Sequence, residues 1–451
     1  MITGLRGADL SAGGPWSAIG VPGAGVEPAR PCGQRILSPP RLPFRHPGER
    51  RPSLVVGAPY SPHVDRVRLD GIELRWLDLR LRTPHRSASG SVVARPVVVA
   101  RVLTESCEGW GECAALPAPD YSEEYALGAW EVLARHLVPA VLSAAGPGRE
   151  VDPENLLEAV SEVRGHAMAK ACLEMGFLDA GLRASARSLS DLLGVTQGSV
   201  ATGTVIGLPE GRDPEQVDRM AGSAAKLVAE GYRRLKVKIA PWVPPDALRA
   251  LCEAVPEAVV IADANGTFRI SDPEHLKTLL SIDALGLSGI EQPLDPDDLV
   301  GHSRLAERLE TRICLDESAS SLGRIVEAIE YGAADMVCIK PARLGGILQA
   351  VRAQAICAEA GIPAYCGGML ESNLARTANA ALCGLPGMTL PGDVQSGERF
   401  EEKDPFLSDV ELREVGRPGP EVTIHREPGV GPAPDRQALE VVTSHKEWFP
   451  A

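Results

Sequence analysis

The stretch Arg233-Arg234-Leu235-Lys236-Val237-Lys238-Ile239 decides how this chain is read. In an extended strand successive side chains point to opposite faces, so Lys236 and Lys238 share one face while Leu235, Val237 and Ile239 share the other. Two ammonium groups side by side each disfavour the other's charge, and burial acts in the same direction. One of the pair is therefore expected to have a lowered pKa and to serve as a base near pH 7. An edge strand with a solvated lysine face is the competing reading of this segment alone.

Downstream, four further apolar runs each end in an ionisable group: Val259 to Asp263, Leu287 to Glu291, Ile313 to Asp316 and Met336 to Lys340. Counted from Lys238, the steps between these ends are 25, 28, 25 and 24 residues. That is the length of one strand plus one crossover helix in a (β/α)8 barrel, where about 250 residues make eight units. Helix-length segments such as Pro245 to Val255 and Gly323 to Tyr331 fill the intervals. An α/β barrel follows, with its first strand at Val200 to Ile206, the Lys-x-Lys strand second and Pro363 to Cys366 seventh. Met388 to Asp393 is expected to close the ring as the eighth strand. Catalytic groups of such barrels lie at the C-terminal strand ends, so all five charged ends converge on one mouth.

A chain of 451 residues can bury a large core, and 44% apolar residues describe a globular protein. No run approaches the apolar length of a membrane span. The net charge of −14, with no basic stripe, argues against nucleic acid as a partner. Ten cysteines are scattered without zinc-type spacing; they read as reduced, buried small hydrophobes of a cytoplasmic protein.

Residues 1–62 hold 11 of the 38 prolines and no sustained period, which predicts a disordered extension. Their seven arginines against three acidic residues come without an amphipathic helix or an apolar signal core. From about Val64 strand patterns begin: Val67 to Leu69, Ile72 to Leu79, Pro96 to Val102 and the tight Gly109-Trp110-Gly111-Glu112-Cys113. Helices are expected over Tyr125 to Leu142, Glu154 to Val163 and Met168 to Leu182. Residues 63–195 thus form an α+β domain, 196–400 the barrel, and 401–451 a segment that returns to the first domain. The loop Thr83 to Gly90, with His85 and Arg86, has the small and basic residues suited to closing over an anion.

Asp263, Glu291 and Asp316 end three neighbouring strands, and three unpaired carboxylates in one cavity need raised pKa values or a cation. Oxygen donors of this number suit Mg²⁺, with Mn²⁺ the alternative. Such an ion can hold a substrate carboxylate whose α-proton leaves. Lys238 and Lys340 flank the site, so that one removes the proton and the other faces the opposite side of the substrate. Structural ion pairs are the competing explanation, and five ends in regular order weigh against it.

These residues resemble the enolase superfamily, in particular its branch of o-succinylbenzoate synthases and N-succinylamino acid racemases. The matching motifs are Lys236-Val237-Lys238, Asp263-Ala264-Asn265, Ile290-Glu291-Gln292-Pro293-Leu294, Cys314 to Ser318, Ile339 to Gly346, Gly367 to Ser372 and Leu390 to Asp393. Gly109 to Cys113 and Tyr121 to Tyr125 match in the first domain. The resemblance implies a (β/α)7β barrel under an α+β capping domain, and a homo-oligomer is expected. It further implies that Asp263, Glu291 and Asp316 bind Mg²⁺. Lys238 would be an acid/base tuned by Lys236, and Lys340 the acid/base or cation of the other face. Asn265 and Glu317 would orient ligands, and Arg343 would lower the pKa of Lys340 by like-charge proximity. His85, Arg86 and Tyr121 of the cap, with Met369 and Leu370 of the barrel, would contact a small carboxylate substrate. His85, Asn373 and Ala375 depart from the pattern expected of the branch. The implied reaction is dehydration of 2-succinyl-6-hydroxy-2,4-cyclohexadiene-1-carboxylate to o-succinylbenzoate in menaquinone synthesis, with N-succinylamino acid racemisation as the alternative.

Overall fold

The computed structural model describes residues 64–87, 90–153, 156–208, 214–394, 400, 403–406, 412–413 and 420–451. The expected disordered extension lies outside the described residues.

Strands Val67–Ser87 and Gly90–Thr104 form a long antiparallel hairpin, and Glu108–Cys113 pairs with the second of them. The run Pro96 to Val102 is apolar without alternation because both faces of this sheet are buried. Val98, Ala100 and Val102 pack into the core of the cap, while Val97 and Val99 belong to the larger cluster that continues into the barrel. The first cap helix, expected as one piece, has a π-helical turn at Leu133–Leu137 between α-helical segments Ala126–Val132 and Val138–Ala145. Pro139 accounts for it: the ring lacks an N–H and would crowd the carbonyl four residues earlier in a regular helix. Helix Ala167–Ala184 lies directly on strand Glu108–Cys113. That approach requires Gly111, since a Cβ there would collide with the Cys172 carbonyl.

The barrel sheet has seven parallel strands in sequence order: Thr204–Ile206, Arg234–Lys238, Val259–Asp263, Gly289–Glu291, Ile313–Leu315, Met336–Ile339 and Ala364–Cys366. Two expectations need correction. The first strand is interrupted at Thr202-Gly203, so that Ser199–Ala201 pairs antiparallel with Glu421–Thr423 and only Thr204–Ile206 joins the barrel. The eighth segment closes the ring without strand geometry. Thr389 and Asp393 donate backbone N–H groups to Ala364 and Cys366 (both 2.9 Å), and Gly392 accepts from Gly203 N (2.8 Å). Pro391 has no N–H to give a ladder, which explains the irregularity. Inside the barrel Ile261, Cys314, Met336, Cys338 and Tyr365 form a small packed cluster. The described cysteines are free.

The chain end strand Thr443–Pro450 pairs antiparallel with Val67–Ser87, extending the cap sheet. Two buried cap carboxylates tie cap to barrel. Glu112 accepts from Ser372 N (3.0 Å) and Ser372 Oγ (2.6 Å), at the start of helix Asn373–Cys383. Glu174 accepts from Ile347 N (3.0 Å) and Leu348 N (2.8 Å), at the start of helix Ile347–Glu359. Both helix starts follow segments that reach the barrel mouth, so these contacts set the cap above it. Among the described residues no helix is long and apolar enough to cross a membrane.

Gly111→Ala is expected to force the helix off its strand and to destabilise the fold by about 1–3 kcal/mol. A denaturant midpoint equal to that of the unsubstituted protein would contradict the close packing.

Candidate active site

Inward-facing residues of strand Arg234–Lys238 are Arg234, Lys236 and Lys238, all buried, and each meets a carboxylate. Lys238 Nζ lies 2.7 Å from Asp263 Oδ2 and 2.8 Å from Asn265 Oδ1. Lys236 Nζ lies 2.7 Å from Glu291 Oε1, 2.6 Å from Asp393 Oδ2 and 3.9 Å from Asp263 Oδ2. Of the two lysines, one of which is expected to have a lowered pKa, Lys236 is not that one. Burial presses its pKa down, but Asp393 and Glu291 outweigh burial and hold it well above the ordinary lysine range. Lys236 is thus held as a cation at the floor of the cleft by its two carboxylate partners.

Backbone register explains how the acids assemble. Lys238 is level with Asp263, and Asp263 with Glu291, across adjacent strands. Glu291 is level with Cys314, which places Asp316 two residues nearer the mouth on the same side. Glu291 is fully buried; burial and the neighbouring Asp263 push its pKa up to about 8 although Lys236 opposes them. Asp316 goes the other way. Burial would raise it, yet Arg343 and Lys340 hold it well below the usual carboxylate range. Its Oδ2 is 2.8 Å from Lys340 Nζ and 3.2 Å from the Tyr121 hydroxyl, and its Oδ1 is 2.7 Å from Arg343 Nη1.

Lys340 and Arg343 converge because the single turn Pro341–Leu344 brings the fourth residue back over the first. The expected lowering of Lys340 by Arg343 is present but does not decide the outcome. Burial lowers Lys340, but Asp316 and Tyr121 more than compensate, and Arg343 is a weaker opposing influence; the ammonium sits well above its ordinary value. Tyr121 receives hydrogen bonds from Lys340 (3.0 Å) and from Arg343, so it joins cap to barrel at this wall of the cleft.

The cleft is lined by Lys236, Lys238, Asp263, Asn265, Lys340 and Asp393 from the barrel floor and walls. Tyr121 and His85 reach it from the cap, and Met369 and Leu370 from the loop after the seventh strand. The backbone of Arg86 pairs with Ser91, while its side chain lies outside the described residues. Glu317 stands behind Asn265, accepting its Nδ2 at 2.9 Å. Sequence reasoning gave no role to Asp393, Arg234, Gln292 or Tyr365. Arg234 was legible as the residue two before Lys236 on the same face. Gln292 holds the next acidic strand end in place, accepting from Asp316 N and Ser318 N at 3.0 Å each. That role depends on a three-dimensional crossing that spacing does not reveal.

The acidic donors fit a divalent cation. Glu291 and Asp316 offer oxygens that lie, with the Cys338 thiol, within 4.8 Å of one another, and Lys236 links Glu291 to Asp263. Hard oxygen donors on three adjacent strand ends, one with its pKa pushed up by its acidic neighbour, are a set whose repulsion a cation relieves.

Residues 72–194 match the mandelate racemase / muconate lactonizing enzyme N-terminal domain, and residues 219–438 the enolase C-terminal domain-like family. The chain is 39% identical over 387 residues to an N-succinylamino acid racemase of Amycolatopsis sp, covering 85% of this chain and 100% of the relative. It is 36% identical over 385 residues to an o-succinylbenzoate synthase of Geobacillus stearothermophilus, covering 85% and 98%. A solved enolase-superfamily member from Listeria innocua Clip11262 superposes with a TM-score of 0.78 at 30% identity, covering 85% of this chain and 99% of that one. The chain belongs to the enolase superfamily, within the branch of o-succinylbenzoate synthases and N-succinylamino acid racemases. It is an enzyme, and a small molecule is its substrate.

In chelator, stability should fall as pH rises from about 4.5 to about 8, because the folded state holds a proton on Glu291 that the unfolded chain releases. Buried Glu112 and Glu174, raised to about 6 and about 7, act in the same sense. The informative quantity is thus the difference between the unsubstituted protein and Glu291→Gln. That difference should decline across this window by urea titration, and a flat difference would contradict the site's electrostatics.

Proposed function

We propose that the chain removes the proton α to a substrate carboxylate, with Mg²⁺ held by Asp263, Glu291 and Asp316. Its reaction is then dehydration of 2-succinyl-6-hydroxy-2,4-cyclohexadiene-1-carboxylate to o-succinylbenzoate. The observation that carries this reading is the placement of two lysines on opposite walls of one cleft, with the acidic strand ends between them. Lys238 is on the second barrel strand and Lys340 directly follows the sixth, four strands apart in the sheet order of a ring closed by an eighth segment.

The charge lining the cleft supports an anionic substrate. Arg234, Lys236, Lys238, Lys340 and Arg343 stand against Asp263, Glu291, Asp316, Glu317 and Asp393, and Asp120 of the cap, which also lines the cleft, brings the formal sum to −1. A divalent cation turns that sum positive, which favours a carboxylate substrate. A divalent ion held by these carboxylates would supply charge that stabilises the anion developing on the substrate carboxylate. Lys238, beside Asp263 and Asn265 on one wall of the cleft, takes the α-proton on Nζ and returns it to the departing hydroxyl, which leaves as water, so that the ring becomes aromatic. Lys340, paired with Asp316 and raised by it, remains a cation facing the other side. Tyr121 and His85, reaching down from the cap, restrict water and orient the succinyl end.

Racemisation of N-succinylamino acids is favoured as a second activity by the same two-walled arrangement. Lys340 can give a proton to the face from which Lys238 does not take one, and the reverse applies to the other enantiomer.

Purified protein should form o-succinylbenzoate, lose that activity in excess chelator and regain it with Mg²⁺. Glu291→Gln should lose more than about 100-fold while the fold persists, since one anionic donor is gone. Full turnover in excess chelator would contradict the assignment.

A further inference from the structure

Tyr365 is fully buried on strand Ala364–Cys366 and crosses the barrel interior to Glu291, to whose Oε2 its hydroxyl donates a hydrogen bond. Strand Gly289–Glu291 lies three places away in the sheet, so this contact spans the lumen rather than joining neighbours. The other oxygen of Glu291 is taken by Lys236 at 2.7 Å. Both ends of one carboxylate are therefore set by the protein, one by a cation and one by a neutral hydroxyl.

The ring itself is clamped. The Arg234 guanidinium lies 4.6 Å from its centroid and the Lys236 ammonium 5.3 Å. Around it, Cys314 and Cys338 are small enough to leave room for a large side chain, and Tyr365 is level with Cys338 in strand register. The Cys314 thiol, 3.8 Å from the phenol oxygen, is oriented to donate to it, leaving the phenol proton for Glu291. A phenylalanine would fill this space equally well. The hydroxyl thus adds a directed bond to Glu291 that packing does not require.

We propose that Tyr365 is a positioning residue for the cation: its hydroxyl fixes the rotation of the Glu291 carboxylate so that the remaining lone pairs face the ion. This rests on the reading of Asp263, Glu291 and Asp316 as the cation site. A carboxylate held at one oxygen only by Lys236 can swing about that contact, and the ion must then pay the ordering itself.

The test compares Tyr365→Phe with the unsubstituted protein, using Mg²⁺ binding by titration calorimetry and Mn²⁺ binding by electron paramagnetic resonance, both without substrate. Loss of a group that orients a metal ligand should weaken the dissociation constant by roughly 10-fold or more. The apparent Mg²⁺ requirement for turnover should rise by a like factor, with kcat at saturating Mg²⁺ largely restored. A purely packing role would instead lower the thermal midpoint in chelator and leave ion affinity unchanged, and that outcome overturns the proposal, as does tighter binding. If Glu291→Gln abolishes binding while Tyr365→Phe leaves it intact, the cation site stands and the role of Tyr365 falls. If the unsubstituted protein binds no divalent ion, the site reading falls with it. Should Tyr365→Phe fail to fold, fluorotyrosine placed at position 365 serves instead. Its fluorine resonance should move on Mg²⁺ addition, and an unmoved resonance overturns the proposal.

Discussion

The structure depends on a single electrostatic constraint: acidic side chains from adjacent strand ends share one buried mouth and must be neutralised there. The protein supplies its own cations for this. Lys238 turns to Asp263, Lys236 bridges Glu291 and Asp393, and Lys340 with Arg343 encloses Asp316. The same lysines that the proposed chemistry needs are thus the counter-charges of the acidic strand ends.

That constraint also explains the cap. A charged cleft open to water would lose most of its field. The cap sheet is held over the mouth by Glu112 and Glu174, each spending a buried carboxylate on the start of a barrel helix. Tyr121 then reaches the Lys340 wall and His85 the opening. Arg95, buried in the cap, donates from Nε to the Leu370 carbonyl (3.1 Å), and Leu370 itself has the left-handed φ of 63°. A strained residue held by a buried arginine at the cleft edge is a position where geometry has been favoured over local comfort.

Much of this was legible in the chain. Strand parity put Lys236 and Lys238 on one face, and the 24-to-28-residue spacing brought five charged ends to one mouth. Spacing could not give the partners of those charges, because Asp393 arrives from the irregular closing segment and Arg343 from a single helical turn after Lys340. Arg343 does press Lys340 down as expected, but Asp316 and Tyr121 outweigh it, and Asp393 and Glu291 raise Lys236: like charges were visible as neighbours in sequence, and their opposite charges only as neighbours in space. The interrupted first strand was hidden for a related reason. Val200 to Ile206 reads as one β-rich run, and the switch at Thr202-Gly203 is decided by Glu421–Thr423, more than two hundred residues away.

The central claim is that Lys238 and Lys340 address opposite faces of one substrate. Its most direct test is α-proton exchange in deuterium oxide, with each enantiomer of an N-succinylamino acid and with Lys238→Ala and Lys340→Ala. The account predicts that neither variant racemises, and that each still exchanges the α-proton of one enantiomer only, the two variants choosing opposite enantiomers. Exchange of both enantiomers by either variant, or exchange unaffected by both substitutions, would contradict it.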